Sequence, residues 1–438
     1  VSYPSTNPDD EISLSLDEPH ADGAGSIVNS TIIGDVKMQR IITCRRGKRS
    51  VVMSGLAVAV CAVSLPVAAQ ECTIKLGVAG PMTGGGASWG LSEKAATEFE
   101  AAWTNARGGL PVGNRKCKVS VVSVDTQSTV AGGAAAANYL ASQGVHAVVG
   151  PVISPEITGF RPVAKRNGVV SFTPSFASDV LNPEFPLVFH EIQSPVVWAP
   201  AAVKAARDRF KLKTAVVIGP NDQGGTDPGK ALAKTYNEAG VKTTTEWYQR
   251  GTANFAPIVV RLMGMNVDAV ELGGMPPGEG AILVKQMREA GYNGAFGRMG
   301  AGGDVVIANA GGIGKQKAFY WFDHIPTDSP GIKKLDADFE ATMKRPLPEM
   351  ALWYNEQIAA EMLLKAISAA GTDQDGEKIA AALRTMTPES RYVGKAGWRG
   401  KAQYGINQEL SFPVAVNFVV SGKREPQQKI DISQEPGK

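Results

Sequence analysis

Histidine and cysteine are scarce in this chain, four of each among 438 residues. No two histidines stand at H-x-x-x-H spacing and no two cysteines at C-x-x-C spacing, so the ligand patterns of common metal sites are missing. Hydrolase and metal chemistry are therefore not expected, and neither is a cofactor. An excess of one charge is missing too. The 45 basic residues face 42 acidic ones, dispersed along the chain for a net +3, which gives no footing for a nucleic-acid surface. Aromatic residues make up only 7%, while glycine numbers 49, a balance that suits α/β chains with many strand-to-helix turns. Two glycine runs imitate nucleotide loops. Gly224-Gly225-Thr226-Asp227-Pro228-Gly229-Lys230-Ala231 has Ala231 where a Ser or Thr must hold magnesium, and Asp227 would repel phosphate. Gly300-Ala301-Gly302-Gly303 lacks the glycine spacing of a dinucleotide loop.

After residue 69 no apolar run is long enough to cross a bilayer. Before it, one run stands out. Arg45, Arg46, Lys48 and Arg49 precede an apolar stretch at 51–65, and Pro66 leads to Val67 and Ala69 at the −3 and −1 positions of a cleavage site. This three-part pattern predicts a secretory signal at 38–69, cut after about Ala69. The alternative, an uncleaved anchor, fits less well because the run is short and rich in Ala, Val and Ser. Neither Cys61 nor Cys72 follows the small-residue run of a lipid-attachment site, so no lipid anchor is expected. Residues 1–37 are polar and acidic, too poor in apolar surface to fold; Met38 is the expected start. Roughly 370 residues remain after export, enough for two or three domains.

From residue 73 short apolar runs alternate with helical patterns. Strands are predicted at 74–78, 119–122, 147–149 and 169–172, with helices at 92–105, 131–141 and 156–165. The runs are continuous rather than alternating, which marks parallel strands covered on both faces. A second series of similar rhythm has strands at 214–218, 243–247, 269–272 and 295–298 and helices at 196–209, 228–239, 257–264 and 280–290. A strand at 317–322 follows, then helices at 332–343, 353–369 and 376–385, and a late strand at 413–420. Three successive helices cannot build a third sheet, so they are expected to return over the first lobe. The predicted fold is α/β: two doubly wound parallel-sheet lobes joined by three crossovers, near Glu191, Phe322 and Val393. The first lobe comprises 70–190 with 323–392, the second 191–322 with 393–438. Cys72 and Cys117 each begin a strand, and the first two strands of such a sheet are usually neighbours; a disulfide between them is one option in an oxidising compartment, two free thiols the other.

The run Ile74-Lys75-Leu76-Gly77-Val78-Ala79-Gly80-Pro81-Met82-Thr83-Gly84 resembles the opening of leucine/isoleucine/valine-type periplasmic substrate-binding proteins of ABC transporters, which have the type I periplasmic-binding-protein fold. Asp125-Thr126-Gln127, Val148-Val149-Gly150-Pro151 before Ser154, Phe172-Thr173-Pro174, Phe255-Ala256-Pro257 and the helix from Gln357 to Gly371 extend the resemblance. It implies a periplasmic, non-enzymatic protein, expected as a monomer, that captures a small solute by cleft closure and delivers it to an inner-membrane permease. A periplasmic sensor of the same fold is the alternative. The resemblance also implies ligand contacts: Trp89 covering the ligand, Ser154 binding its carboxylate, and Ser175, Phe176 and Ala177 forming a loop that binds through backbone groups and a hydroxyl. Each of these segments ends a strand and opens toward a helix N-terminus, where free N–H groups favour an anion.

Departures from the family pattern redirect the substrate. Ala177 stands where amino-acid binders have a hydroxyl, and Gly224 and Met275 stand where tyrosines are common. Near Gly300 the acid that would pair an α-ammonium is missing. A buried ammonium without a carboxylate is costly, so an aromatic or other organic acid is favoured over a branched-chain amino acid. An amino acid or an amide is the alternative. Arg298 could offer a bidentate fork to a carboxylate or an amide. Asp222 either contacts ligand or caps a helix, and Tyr354 opens a helix that either faces the cleft or packs.

Overall fold

The apolar runs become two sheets, each with helices on both faces. The structure is a computed structural model and describes residues 72–298 and 300–432. The expected start at Met38, the export signal at 38–69 and its cleavage site lie outside the described residues.

In the first sheet the strand order is Gly397–Arg399, Glu409–Ser411, Val188–His190, Val170–Thr173, Ala147–Val149, Thr73–Gly80, Arg115–Asp125, Leu110–Val112. In the second it is Lys423–Arg424, Val414–Val420, Ala318–Asp323, Ala295–Arg298, Ala269–Leu272, Thr214–Pro220, Lys242–Tyr248, with Gln428–Ile430 also paired to Val414–Val420. The five central strands of each sheet run parallel and share one winding order, second-first-third-fourth-fifth. That order reverses between the first and third strands. The loops leaving the carboxyl ends of those two strands splay apart, and a crevice opens there.

Burial explains the parallel centre. Thr73–Gly80 is covered at every position from Leu76 onward, as a strand with helices above and below must be. The helices Pro330–Met343, Trp353–Ala370 and Gly376–Thr385 return to the first lobe and pack with Ala87–Ala106 on its sheet. Trp353–Ala370 buries 14 of its 18 residues, so it is a core helix rather than an amphipathic one. Trp353 lies 5.1 Å from Phe339, ring centre to ring centre. Each such side chain removed from water contributes about 1.5–3 kcal/mol. Cys72 and Cys117 are joined in a disulfide with their Cα atoms 4.5 Å apart. The main chain aligns them, since Lys118 N–H donates to Cys72 O at 2.8 Å.

Three features depart from the expected pattern. Leu110–Val112 forms an antiparallel edge hairpin with Arg115–Asp125, and Val188–His190 adds a fifth parallel strand. Gly397–Arg399 and Glu409–Ser411 return to the first sheet, so the third crossing lies at Phe412 and Pro413 rather than near Val393. These strands carry no apolar run that would announce them. Polar contacts hold them instead: His190 Nδ1 lies 2.9 Å from Glu409 Oε2, which also accepts the Ser194 N–H at 3.1 Å. Gln193 Nε2 donates to Phe412 O at 2.6 Å and ties the first crossing to the third. Among the described residues no helix is long and apolar enough to cross a membrane.

Candidate functional site

The crevice loops of both sheets meet around a cavity with an empty volume of about 480 Å³, its mouth included. On the first-lobe side, Thr73–Gly80 leads through a short 3-10 turn at Gly84–Gly86 into Ala87–Ala106, whose third residue is Trp89. Ala147–Val149 leads through Gly150 and Pro151 to Ser154, the first residue of Ser154–Arg166. Gly150 has φ +96°, and a Cβ there would fall 2.1 Å from Ala79 O; only glycine permits that approach. Val170–Thr173 leads to Pro174, Ser175 and Phe176.

These loops are joined by a directed chain of hydrogen bonds. Ala177 N–H donates to Ser175 Oγ at 3.2 Å, and Ser175 Oγ donates to Ser154 Oγ at 3.0 Å. Ser154 lines the cavity. Because its oxygen already accepts from Ser175, its own proton is left to donate to a bound acceptor.

Arg298 supplies the charge. It ends the strand Ala295–Arg298 in the second sheet and is 3% exposed. Nη1 donates to Leu272 O at 3.1 Å, Nη2 to Ala301 O at 3.4 Å, and Nε has no partner. Burial lowers the guanidinium to about 10, opposed by Glu271 and Tyr248, so it remains a cation at neutral pH. Its guanidinium carbon sits 5.9 Å from the centre of the Trp89 ring, across the gap between lobes, a long-range cation–π contact. The cavity lining contains no Asp or Glu among the described residues. Behind it lie Glu93, Glu191 and Glu356, all buried. Burial first, then mutual repulsion with neighbouring carboxyls, pushes Glu93 and Glu191 well above the usual range; burial does the same to Glu356. These carboxyls resist ionisation, and the counter-charge that acts on Arg298 is Glu271, which lies outside the cavity lining.

The sequence-predicted residues divide into two groups. Trp89, Ser154, Phe176 and Arg298 line the cavity, with Ser175 immediately behind Ser154. Ala177 is buried among first-lobe apolar groups and reaches the site only through its N–H. Met275 is fully buried in the second-lobe core, and its neighbour Gly274 lines the cavity instead. Asp222 caps the helix Gln223–Glu238 by accepting the Gly225 N–H at 3.2 Å, and pairs with Arg250 at 2.5 Å. Tyr354 donates to Asp336 at 3.0 Å and packs on Trp353, while Leu352 lines the cavity. Ile192 and His324 line it as well. Both sit on chain crossings, where no strand-end pattern points to them; proximity to the expected crossings is the one signal that could have found them. Gly86-Ala87-Ser88-Trp89-Gly90 spells G-x-S-x-G, but Ser88 stands in a helix eight residues past the strand end, not on a strand-to-helix elbow.

The lobes are held together around the cavity. Trp89 and Ile153 from the first pack with Ala301 and Val305 from the second. Gln223 reaches across: its Nε2 donates to Asp179 Oδ1 at 2.8 Å and its Oε1 accepts from Thr158 Oγ1 at 2.9 Å. Asp227 accepts the Ser178 N–H at 2.8 Å. Asp179 is in turn anchored by Arg161.

Comparison with known proteins places this architecture. A family model described as "Periplasmic binding protein" matches residues 73–413. The leucine-, isoleucine-, valine-, threonine- and alanine-binding protein of Pseudomonas aeruginosa is 29% identical over 321 residues, 73% of this chain and 84% of that protein. The crystal structure of the branched-chain amino acid transporter substrate-binding protein LivJ from Streptococcus pneumoniae, in complex with isoleucine, superposes with TM-score 0.69 at 20% identity, covering 82% of this chain and 99% of the other. An ABC transporter solute-binding protein from R. palustris, in complex with 4-hydroxybenzoate, superposes with TM-score 0.68 at 21% identity, covering 83% and 99%.

Proposed function

Since this chain belongs to the periplasmic binding protein family, we propose that it captures a small organic monocarboxylate, aromatic acids ahead of branched-chain amino acids, and presents it to a membrane permease. One observation carries the reading. The cavity holds a buried cation, Arg298, with an unpartnered N–H, and its carboxylate neighbour Glu271 lies outside the lining. An anion completes such a site, whereas an α-ammonium would meet a like charge and find no counter-charge. Solved relatives of the same fold hold isoleucine in one case and 4-hydroxybenzoate in another, so the scaffold accommodates both chemistries and the lining decides between them. Trp89, Phe176, Ile153 and Leu352 supply apolar walls suited to a flat ring.

The mechanism is closure. The ligand carboxylate docks at the Ser154 hydroxyl and the helix N-terminus that follows it. The second lobe then brings Arg298 over Trp89, and Gln223 and Asp227 engage the first lobe. Ligand shifts the open–closed balance only as far as it binds the closed form better. Thermal-shift screening against benzoates, dicarboxylates, amides and amino acids tests this, because binding to the native state raises apparent stability. A shift with benzoate-type acids is expected; a shift with leucine alone would overturn the reading.

A further inference from the structure

We propose that His324 is a specificity-determining residue, selecting ligands that carry one uncharged hydroxyl in addition to their carboxylate. The inference rests on the monocarboxylate reading of the same cavity and goes beyond it. His324 is the first residue after the strand Ala318–Asp323, where the chain crosses back to the first lobe. It is 2% exposed, lines the cavity, and its Nδ1 has no hydrogen-bond partner.

The surroundings of the ring determine its protonation. The Phe322 ring stands edge-on at 4.8 Å, Phe176 is tilted at 5.8 Å and Trp198 lies at 6.3 Å. Burial in this aromatic cage, then the neighbouring His190, depresses the imidazole to about 3. It is therefore neutral at pH 7. A neutral imidazole has one nitrogen that donates and one that accepts. Left unpaired in the interior, such a group is costly, and the remaining cavity wall is largely apolar.

Charge decides what can satisfy it. The site provides one cation for one anion. A second carboxylate would be buried against a neutral ring without a counter-charge, and an ammonium would add to the field of Arg298. A hydroxyl costs little to bury once bonded, and it accepts from an imidazole N–H or donates to an imidazole nitrogen equally well. A methyl group or bare ring edge leaves the nitrogen unpaired. Sites built to bond a hydroxyl reject the analogue that lacks it far more strongly than apolar pockets reject a change of shape.

Calorimetric titration of the mature protein with benzoate, the three monohydroxybenzoates, phenylacetate, mandelate and leucine tests this. At least one hydroxylated acid is expected to bind about tenfold or more tighter than its deoxy partner. In His324→Phe the ratio between the two should collapse toward one, and in His324→Asn, which keeps a polar group near Nδ1, part of the ratio should return. Equal affinities across the benzoate series and between phenylacetate and mandelate in the unsubstituted protein, or a ratio untouched in His324→Phe, overturn the assignment while leaving the monocarboxylate reading in place. Should the phenylalanine variant not fold, the unsubstituted comparison and His324→Asn decide the question. Binding of leucine with no response to any acid removes the underlying reading and this inference with it.

Discussion

At the scale of single residues, Arg298 separates affinity from stability. Removing it deletes the charge that an anionic ligand needs, and also removes a buried cation with an unpartnered N–H. Arg298→Met should therefore weaken carboxylate binding about tenfold to a hundredfold, while thermal unfolding of the ligand-free protein changes little, relief of the buried cation offsetting the donors lost to Leu272 O and Ala301 O. Loss of stability without loss of affinity would place Arg298 in the fold rather than the site. Trp89→Ala should weaken ligand binding without unfolding the protein, and unchanged affinity by calorimetry would take Trp89 out of the site. Residues at strand ends were the legible ones. Trp89, Ser154 and Arg298 each follow an apolar run whose end the pattern locates. Met275 missed by one position, because the glycine before it makes the tight turn and sends the methionine inward. His324, Ile192 and Leu352 were illegible because crossings carry no periodicity; their place at the cavity follows from how the two lobes meet.

At the scale of elements, buried carboxyls tie helices to pH. Glu93 on Ala87–Ala106, Glu356 on Trp353–Ala370 and Glu191 on the first crossing all resist ionisation, and burial pushes Glu156 and Asp323 up to about 7. Unfolded, such groups titrate at about 4. Above that value the folded state holds more protons than the unfolded state, so stability is greatest in acid and is lost as pH rises through the raised values. Neutral His324 pulls the other way below about 6.5, so the fall should be read over the interval that opens at about pH 6.5 and passes the values near 7. The thermal midpoint should decline over that interval, and less steeply in Glu356→Gln; a rising midpoint would contradict the assignment. The disulfide acts on the unfolded chain. Its cysteines are 45 residues apart, and replacing both with serine should cost about 3–4 kcal/mol in denaturant unfolding. The parallel strands of both lobes were readable from continuous apolar runs. The returning strands Gly397–Arg399 and Glu409–Ser411 were not, since contacts such as His190 with Glu409, between residues 219 apart, hold them in place.

At the scale of the whole molecule, affinity depends on closure as well as on contact. Gln223 bridges Thr158 and Asp179 between the lobes and lies outside the cavity lining. Gln223→Ala should weaken every ligand by the same factor, chiefly through faster dissociation, because it destabilises the closed form they share. Unequal losses across a ligand panel would mean that Gln223 touches the ligand. In the proposed function the closed lobes enclose an anion paired to Arg298. Parallel calorimetric titrations of the unsubstituted protein and Arg298→Met with benzoate and with leucine test it most directly. We expect benzoate to bind the unsubstituted protein in preference to leucine, and that preference to vanish in Arg298→Met. Tight leucine binding that survives the loss of Arg298 would contradict the claim.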